Sequence, residues 1–317
     1  MTKMIDVIVR GIRIEAEEIR SFELASLNGD LPAWEAGAHI LVEVKPGLQR
    51  AYSLCNHPED SGCYRIAVKH EAASRGGSMA MHRLQVGDRL RVAPPANLFE
   101  PDPAATHHVL LAGGIGVTPL YAMRNALLAK SVPVRLHYFA RSAAHAAFSS
   151  RLGTESEAHY GLDAAQTKIR LMQIVAPHAA DGGTRFCLCG PAAFMDTAGD
   201  VLAAANVDSA RIRSERFGAT SAVAPSVSAG SFRVRFERSG IEAEVPAGTP
   251  IIAVARSHGV DIPTSCEMGV CGACYTKVIG GEAEHHDQYL SPAEQAAGNC
   301  LLPCVSRSKS SLLILDR

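Results

Sequence analysis

The sequence predicts three domains in a row: an antiparallel β-barrel at residues 1–103, an α/β domain with a parallel sheet at 104–222, and a small α+β domain at 232–317. Short runs such as AHILVEV alternate apolar and polar residues in the first part, which is typical of antiparallel strands. Apolar strands then alternate with glycine turns and helical segments, which predicts a parallel sheet covered by helices. The stretch ATSAVAPSVSAGS consists of small residues and one proline without periodicity, which predicts a flexible linker at 223–231.

The composition is that of a globular protein with packed cores. The chain has 317 residues, of which 47% are hydrophobic and 20% charged, and its formal net charge is -1. Binding to nucleic acid needs a concentrated basic surface, and the chain contains no Lys/Arg run, so a nucleic-acid partner is excluded. The first twenty residues interleave charged and apolar side chains, which indicates no signal peptide, and no apolar stretch is long enough for a membrane helix. We therefore expect a soluble protein without membrane association.

Two short motifs in the barrel segment are candidates for binding an anion and a planar ring. RAYSL places Arg50, Tyr52 and Ser53 close together on one strand, so that a cation, an aromatic ring and a hydroxyl are available at one place. SRGGS, with Arg75 and a Gly76–Ser78 turn before a short helix, offers a second anion site. An ordinary barrel strand with a surface arginine explains RAYSL equally well.

Two glycine turns in the α/β segment predict a nucleotide site. GGIGVTP (113–119) and CGPAAFM (189–195) each follow an apolar strand and open a helix. Helix N-termini attract phosphate, and open α/β sheets bind nucleotides at the carboxyl ends of their strands. A tight strand-to-helix turn would use the same glycines, so neither motif is decisive alone.

The last segment begins with a strand pair around Ser239–Gly240 and a short helix in PIIAVARSHG, and then reaches CEMGVCGAC. Cys266, Cys271 and Cys274 fit C-x4-C-x2-C, the plant-type [2Fe–2S] spacing, which requires a distant fourth thiolate. A zinc knuckle would usually show paired C-x2-C elements. Gly269, Gly272 and Ala273 allow the loop to fold around the cluster and to direct N–H groups at its sulfides.

Cys300 and Cys304 both remain candidates for the fourth ligand, because the spacing from Cys274 tolerates either. Position favours Cys304, which follows a proline and precedes an apolar strand. Cys187 and Cys189 lie in an apolar strand and are expected to be buried and unreactive. Nine cysteines in a long chain favour a reducing compartment, so we expect a cytoplasmic protein.

The ordered set RAYSL, SRGGS, GGIGVTP, CGPAAFM and CEMGVCGAC resembles the phthalate dioxygenase reductase family, which includes vanillate demethylase reductases, over essentially the whole chain. The resemblance implies an FMN-binding barrel, an NADH-binding α/β domain and a C-terminal β-grasp ferredoxin domain with a plant-type [2Fe–2S] cluster. It also implies a terminal Rieske non-haem iron oxygenase as the partner that receives the electrons.

The resemblance also implies roles for individual residues. The cluster ligands are Cys266, Cys271, Cys274 and Cys304, since PCVSR is the closing motif of the family. The flavin contacts are Arg50, Ala51, Tyr52, Ser53, Val68, Lys69, Arg75, Gly76, Gly77 and Ser78. The NADH contacts are Gly113, Gly114, Gly116, Thr118, Arg141, Ser142, Cys189, Gly190, Pro191 and Phe217. The residues nearest the hydride path are Ser53, Thr118, Cys189 and Phe217.

Electron counting defines the expected chemistry. NADH gives two electrons as a hydride and the cluster takes one, so the flavin must connect the two. Hydride transfer to a flavin requires no protein acid or base, and we therefore expect no catalytic carboxylate or histidine at this site. FMN is favoured over FAD mostly by the resemblance, and the SRGGS site is adequate for a terminal phosphate. NADH is favoured over NADPH because YFARSAAHAAF contains only one basic side chain of the Lys/Arg type.

Two alternative functions remain at this level. One is a flavin and iron–sulfur oxidoreductase that reduces a small-molecule acceptor. The other is a non-enzymatic, ferredoxin-like electron carrier. We expect a monomer in either case.

Overall fold

The computed structural model describes residues 4–45, 48–72, 76–216, 230–264, 269, 272, 274–287, 289–290 and 292–317. The chain divides into two compact units, Met1–Phe217 and Gly218–Arg317. The predicted boundary at 103/104 lies inside the first unit and stays a prediction. Of the predicted linker, only residues 230–231 are described. In the described part of the chain, every helix is too short or too polar to cross a membrane.

The first unit begins with one antiparallel sheet of six strands and a short helix. They are β1 (Ile5–Ala16), β2 (Ile19–Ser26), β3 (His39–Lys45), β4 (Leu48–Ser53), β5 (Tyr64–Lys69), α1 (Gly77–His82) and β6 (Arg89–Val92). The strand order is β4-β3-β6-β1-β2-β5. The predicted antiparallel strands are therefore confirmed.

In the described residues, this sheet closes only partly into a barrel. β4 and β5 lie at opposite edges of the sheet order, and an isolated antiparallel bridge between Leu54 and Ile66 connects the ends of these strands. The Cys55 N–H also donates to the Arg65 carbonyl at 2.8 Å. The sheet thus curls so that its edges touch at one point, whereas a complete barrel would need a ladder there.

The second sheet is parallel, as predicted. Its elements are β7 (His107–Gly113), α2 (Val117–Ala129), β8 (Val134–Ala140), β9 (Ser156–Tyr160), α3 (Ala164–Val175), β10 (Thr184–Gly190), α4 (Ala192–Ala204) and β11 (Ile212–Arg216). The strand order is β11-β10-β7-β8-β9, and every neighbouring pair is parallel. Val109, Leu110 and Leu111 of the central strand are fully buried, because helices cover both faces of such a sheet. All carboxyl ends of the strands lie at one edge.

The second unit contains a mixed sheet with short helices. Its elements are β12 (Phe232–Phe236), β13 (Ile241–Val245), α5 (Ile251–Ser257), β14 (Thr276–Gly280), β15 (Ala283–Glu284), α6 (Pro292–Ala297), β16 (Cys300–Leu301), β17 (Arg307–Ser308) and β18 (Leu312–Leu315). The main strand order is β13-β12-β18-β14-β16, with β12 and β18 parallel. The predicted hairpin and helix are both present, so the predicted α+β class of this unit is confirmed.

Candidate functional site

The two predicted glycine turns meet in the first unit. A Cβ atom on Gly116 would lie 2.3 Å from the carbonyl oxygen of Cys189 and 2.6 Å from the Gly190 nitrogen. A Cβ atom on Gly190 would lie 2.8 Å from the Phe194 ring and 3.0 Å from Gly113 Cα. The turn after β7 and the turn after β10 therefore pack backbone against backbone, which only glycine permits at this distance.

A cavity of about 470 Å³ opens beside these turns. Both sheets contribute to it: Lys69 comes from the antiparallel sheet, while Gly113, Gly114, Arg141 and Pro191 come from the carboxyl edge of the parallel sheet. This edge is where open α/β sheets hold nucleotides. The sequence analysis did not identify several further lining residues, namely Glu17, Ile115, Phe139, His145, His159 and Phe194.

Arg141 and Ser142, two of the predicted NADH contacts, make polar contacts of their own. Arg141 is exposed and lies 3.4 Å from the Glu18 carboxylate, so an ion pair joins the segment after β8 to the turn between β1 and β2. The Ser142 hydroxyl lies 2.8 Å from His145 Nδ1. His145 in turn lies 3.2 Å from the Glu17 carboxylate. The cavity rim here therefore carries carboxylates as well as cations.

Ser53 is positioned by a contact that crosses between the two sheets. It ends β4, is buried, and its hydroxyl donates to the Glu215 carboxylate at 3.2 Å. Glu215 lies on β11 directly opposite Cys189 of β10 in the parallel register. The structure thus brings together two predicted residues, Ser53 and Cys189, and one residue that was not predicted, Glu215.

Burial sets the protonation of these groups. It raises the pKa of Glu215 to about 7, and the Ser53 hydrogen bond opposes this shift. Burial also raises the pKa of the Cys189 thiol, and the nearby Glu215 charge adds to the effect, so the thiol stays protonated. We expected no catalytic carboxylate at this site; the structure places a carboxylate beside Ser53 and Cys189, and its pKa is raised to about 7. The only sequence signal for it was its position two residues before Phe217 in SERFG.

The raised pKa of Glu215 predicts a pH-dependent stability. Because the folded state binds this proton more tightly than the unfolded state, the associated stability is full below the unfolded pKa of 4.5 and is lost as pH rises through about 7. Relative to Glu215→Gln, the wild type should lose roughly 2 kcal/mol of unfolding free energy between about pH 5 and pH 8, a value reduced for partial exposure. Urea unfolding across this range measures it.

Asp196→Asn serves as the matched control for this prediction. Asp196 is an exposed carboxylate that accepts from Arg216, the residue next to Glu215, at 2.8 Å. Its replacement should leave the pH dependence of the wild type unchanged. Identical pH profiles for the wild type and Glu215→Gln would contradict the raised pKa of the half-buried Glu215.

The predicted phosphate site is built around Arg50. A Cβ atom on Gly77 would lie 2.8 Å from Arg50 Cγ, so the arginine stem lies against the start of α1. Gly76 has a φ of +93°, a conformation that glycine adopts at little cost. The Ser78 hydroxyl accepts from the Glu71 N–H at 3.1 Å, so its own hydrogen points elsewhere. A guanidinium, a glycine turn and a hydroxyl at one place suit a phosphate monoester.

Four other predicted flavin contacts lie in the described part of the chain. Tyr52 and Ala51 are half-buried on β4, and burial raises the pKa of Tyr52, which keeps its phenol neutral. The Val68 carbonyl lies 2.8 Å from His82 Nε2, and Lys69 lies 2.9 Å from the Glu71 carboxylate.

The Thr118 side chain closes the turn at the start of α2. It is buried, and its Oγ1 donates to the Ile115 carbonyl at 3.0 Å. Its predicted contact with NADH stays a prediction.

Two of the four predicted cluster cysteines lie side by side in the second unit. Cys274 Sγ and Cys304 Sγ are 3.2 Å apart and both side chains are buried. This is much longer than a disulfide bond of about 2.05 Å. Two thiolates on one tetrahedral metal, each about 2.3 Å from it, lie roughly 3.7 Å apart, so this pair fits a shared iron. Cys300 is buried on β16, where it pairs with Lys277.

Glycines shape the described part of the cysteine loop. Gly269 and Gly272 have φ values of +72° and +71°. A Cβ atom would lie 2.6 Å from Val305 at the first position and 2.3 Å from the Tyr289 ring at the second. Both the backbone conformation and the close packing therefore require glycine, as expected for a loop that wraps an inorganic cluster. Four predicted site residues lie outside the described residues: Arg75, Phe217, Cys266 and Cys271.

Comparison with known proteins agrees with these features. Residues 234–309 match the family described as 2Fe-2S iron-sulfur cluster binding domain, and residues 88–212 match the N-terminal domain of dimethylamine monooxygenase subunit DmmA-like proteins. The chain is 40% identical to vanillate O-demethylase oxidoreductase of Pseudomonas putida over 320 residues, covering 99% of this chain and 100% of that protein. It is 33% identical to the carnitine monooxygenase reductase subunit of Escherichia coli over 323 residues, covering 99% and 98%.

A solved structure shows the same architecture. Phthalate dioxygenase reductase, described as a modular structure for electron transfer from pyridine nucleotides to [2Fe–2S], matches with a TM-score of 0.75 and 34% identity, covering 99% of this chain and 98% of that one. The resemblance predicted from the motifs is therefore confirmed. The chain belongs to the family of oxygenase reductases that includes phthalate dioxygenase reductase and vanillate O-demethylase oxidoreductase.

Proposed function

We propose that this chain is the reductase component of a Rieske non-haem iron oxygenase system and passes electrons from NADH through FMN and a [2Fe–2S] cluster to the oxygenase. The cavity at the carboxyl edge of the parallel sheet carries this proposal. It is lined by the glycine turns on one side and by Ile19 and Lys69 of the antiparallel sheet on the other. A nucleotide held there lies against the sheet that carries Arg50, Tyr52 and Ser53.

Arg50 and the Gly77–Ser78 turn would hold the single phosphate of FMN. Tyr52 would pack on the flavin ring, and Ser53 would lie at its reactive edge, with its hydroxyl oriented by Glu215. When bound, the flavin converts the two electrons of a hydride into single electrons. The residues around it position the nicotinamide and exclude water, which is where a site without covalent chemistry gains its rate.

The charges around the cavity favour NADH over NADPH. Among the described residues that line it, the Lys and Arg side chains are Lys69 and Arg141, and each is already paired with a carboxylate, Glu71 at 2.9 Å and Glu18 at 3.4 Å. Glu17, Glu71 and Asp163 line the same cavity. Carboxylates repel the 2′-phosphate of NADPH, whereas the ribose hydroxyls of NADH can donate to them.

In the second unit, Cys266, Cys271, Cys274 and Cys304 would hold the cluster, with Cys274 and Cys304 on one iron. The distance of 3.2 Å between their sulfur atoms supports this pairing. Amides of the glycine-rich loop would adjust the potential by donating to the sulfides. No disulfide joins the cysteines that the structure describes, which suits a protein of the reducing cytoplasm. We also propose that it acts as a monomer, which sedimentation of the purified protein tests.

The proposal is tested by the visible spectrum of anaerobically purified protein, with the released flavin identified. Flavin bands, a broad cluster absorbance and FMN in the extract are expected, and NADH should bleach both chromophores. A protein without flavin, or with a cluster absorbance that NADH does not change, would instead support the ferredoxin-like carrier.

A further inference from the structure

Three side chains that could ligate a metal face one another at the outer edge of the parallel sheet. They are His137 on β8 and Glu157 and His159 on β9. The parallel register places His137 opposite Glu157 and Phe139 opposite His159. Because residues two apart on a strand share a face, all three project from the same face of the sheet.

Their donor atoms have nearly the spacing of a coordination shell. His137 Nδ1 lies 3.3 Å from His159 Nε2 and 3.7 Å from a Glu157 carboxylate oxygen. One ligand atom from each of the three residues lies within 4.8 Å of the others. Donors about 2.0–2.1 Å from a tetrahedral ion are separated by roughly 3.3 Å, so small side-chain rotations suffice to close the shell.

Both imidazoles are in the state that a metal requires. His137 and His159 are buried, and burial is the main cause that lowers the pKa of both, with His137 reaching about 3. Both are therefore neutral at physiological pH, and each imidazole can present one unprotonated ring nitrogen to an ion. The Glu157 side chain is 44% exposed, which gives an ion a path from solvent.

Two nearby arginines lower the affinity of these three side chains for a cation but leave room for one to bind. Arg135 lies 4.0 Å from the Glu157 carboxylate, and Arg170 of α3 contributes to the lowered pKa of both histidines. The Arg135 side chain is 44% exposed and can turn to solvent when an ion takes its place at the carboxylate.

We propose that His137, Glu157 and His159 form a binding site for one divalent transition metal ion. Two imidazoles and a carboxylate without sulfur suit Zn²⁺ and its neighbours, whereas Mg²⁺ and Ca²⁺ prefer oxygen ligands alone. The site is separate from the cluster cysteines, which lie in the other unit. His159 and Phe139, whose ring centroids are 4.5 Å apart, also line the cavity beside the glycine turns. A bound ion would therefore hold this part of the cavity wall in place.

The test is a Zn²⁺ titration of the protein with its flavin and cluster in place, in competition with a fluorescent zinc indicator. The wild type should bind about one Zn²⁺ per chain at this site, and Glu157→Gln and His159→Gln should weaken that binding roughly 10–100-fold. Glu157 is partly exposed, so its replacement is not expected to disturb folding. Equal Zn²⁺ affinity in the wild type and Glu157→Gln would overturn the proposal.

His178→Gln is the matched control. The His107 and His178 rings also lie close, with centroids 4.8 Å apart, but among the described residues these histidines join no group of three ligating side chains. This variant should keep the Zn²⁺ affinity of the wild type. Anomalous diffraction from a Zn²⁺-soaked crystal should show a peak bonded to both His137 and His159, and a soaked crystal without that peak would contradict the site even if His159→Gln fails to fold.

Discussion

Replacing Cys304 with serine is expected to remove the [2Fe–2S] cluster while leaving the flavin in place. Its sulfur lies 3.2 Å from the sulfur of Cys274, so in the proposed cluster site its thiolate would bind the same iron as Cys274. Iron and acid-labile sulfide should fall to less than about a tenth of the wild-type content, because a plant-type cluster needs four thiolates. NADH should still bleach the flavin, but electron delivery to a one-electron acceptor protein should fall by about 100-fold or more.

Cys300→Ser is the control that makes this result specific. Cys300 is equally buried and lies four residues away, on β16, so its replacement tests general disturbance of the same region. The Cys300 variant should keep its cluster. If Cys300→Ser lost the cluster and Cys304→Ser kept it, the assignment of the fourth ligand would be wrong.

Adding one methyl group at Gly116 should both destabilise the first unit and impair NADH binding. The new Cβ atom would lie 2.3 Å from the Cys189 carbonyl oxygen, and a backbone atom cannot rotate away. The turns after β7 and β10 must therefore separate. We expect Gly116→Ala to lose about 1–3 kcal/mol of unfolding free energy. The Km for NADH should rise about tenfold or more, because the proposed NADH site lies across these two turns.

Gly199→Ala is the matched control, and it should change the free energy of unfolding in the opposite direction. Gly199 lies inside α4, and nothing lies within 4 Å of a Cβ atom placed there. Alanine should stabilise this helix by about 0.5–1 kcal/mol and leave the Km for NADH unchanged. Equal stability and Km for Gly116→Ala and the wild type would contradict the close packing of the two turns.

Periodicity was sufficient to predict most elements of the fold. Alternation in AHILVEV and YRIAVKH gave antiparallel strands that the structure confirms as β3 and β5. Glycines after apolar runs located both turns at the nucleotide edge, because each turn is a local feature of the chain. How far the antiparallel sheet closes depends on contacts between strands that are distant in the sequence. In the described residues, the contact that closes the predicted barrel is a single bridge between Leu54 and Ile66.

The parts of the site that sequence reasoning missed depend on register. Glu215 reaches Ser53, 162 positions away, only because β11 pairs with β10 so that Glu215 lies beside Cys189. His137, Glu157 and His159 meet for the same reason, through the pairing of β8 with β9. A single sequence contains no direct record of either register. The choice between Cys300 and Cys304 was likewise undetermined by spacing, whereas the sulfur–sulfur distance favours Cys304.

An anaerobic reductive titration with NADH, followed by visible absorbance, tests the central claim most directly. A chain that carries FMN and one [2Fe–2S] cluster takes up three electrons, which about 1.5 equivalents of NADH supply. We expect both the flavin bands and the cluster absorbance to bleach with an end point at this value. An end point at about one equivalent, with the cluster absorbance unchanged, would show that electrons stop at the flavin and would contradict the proposed path.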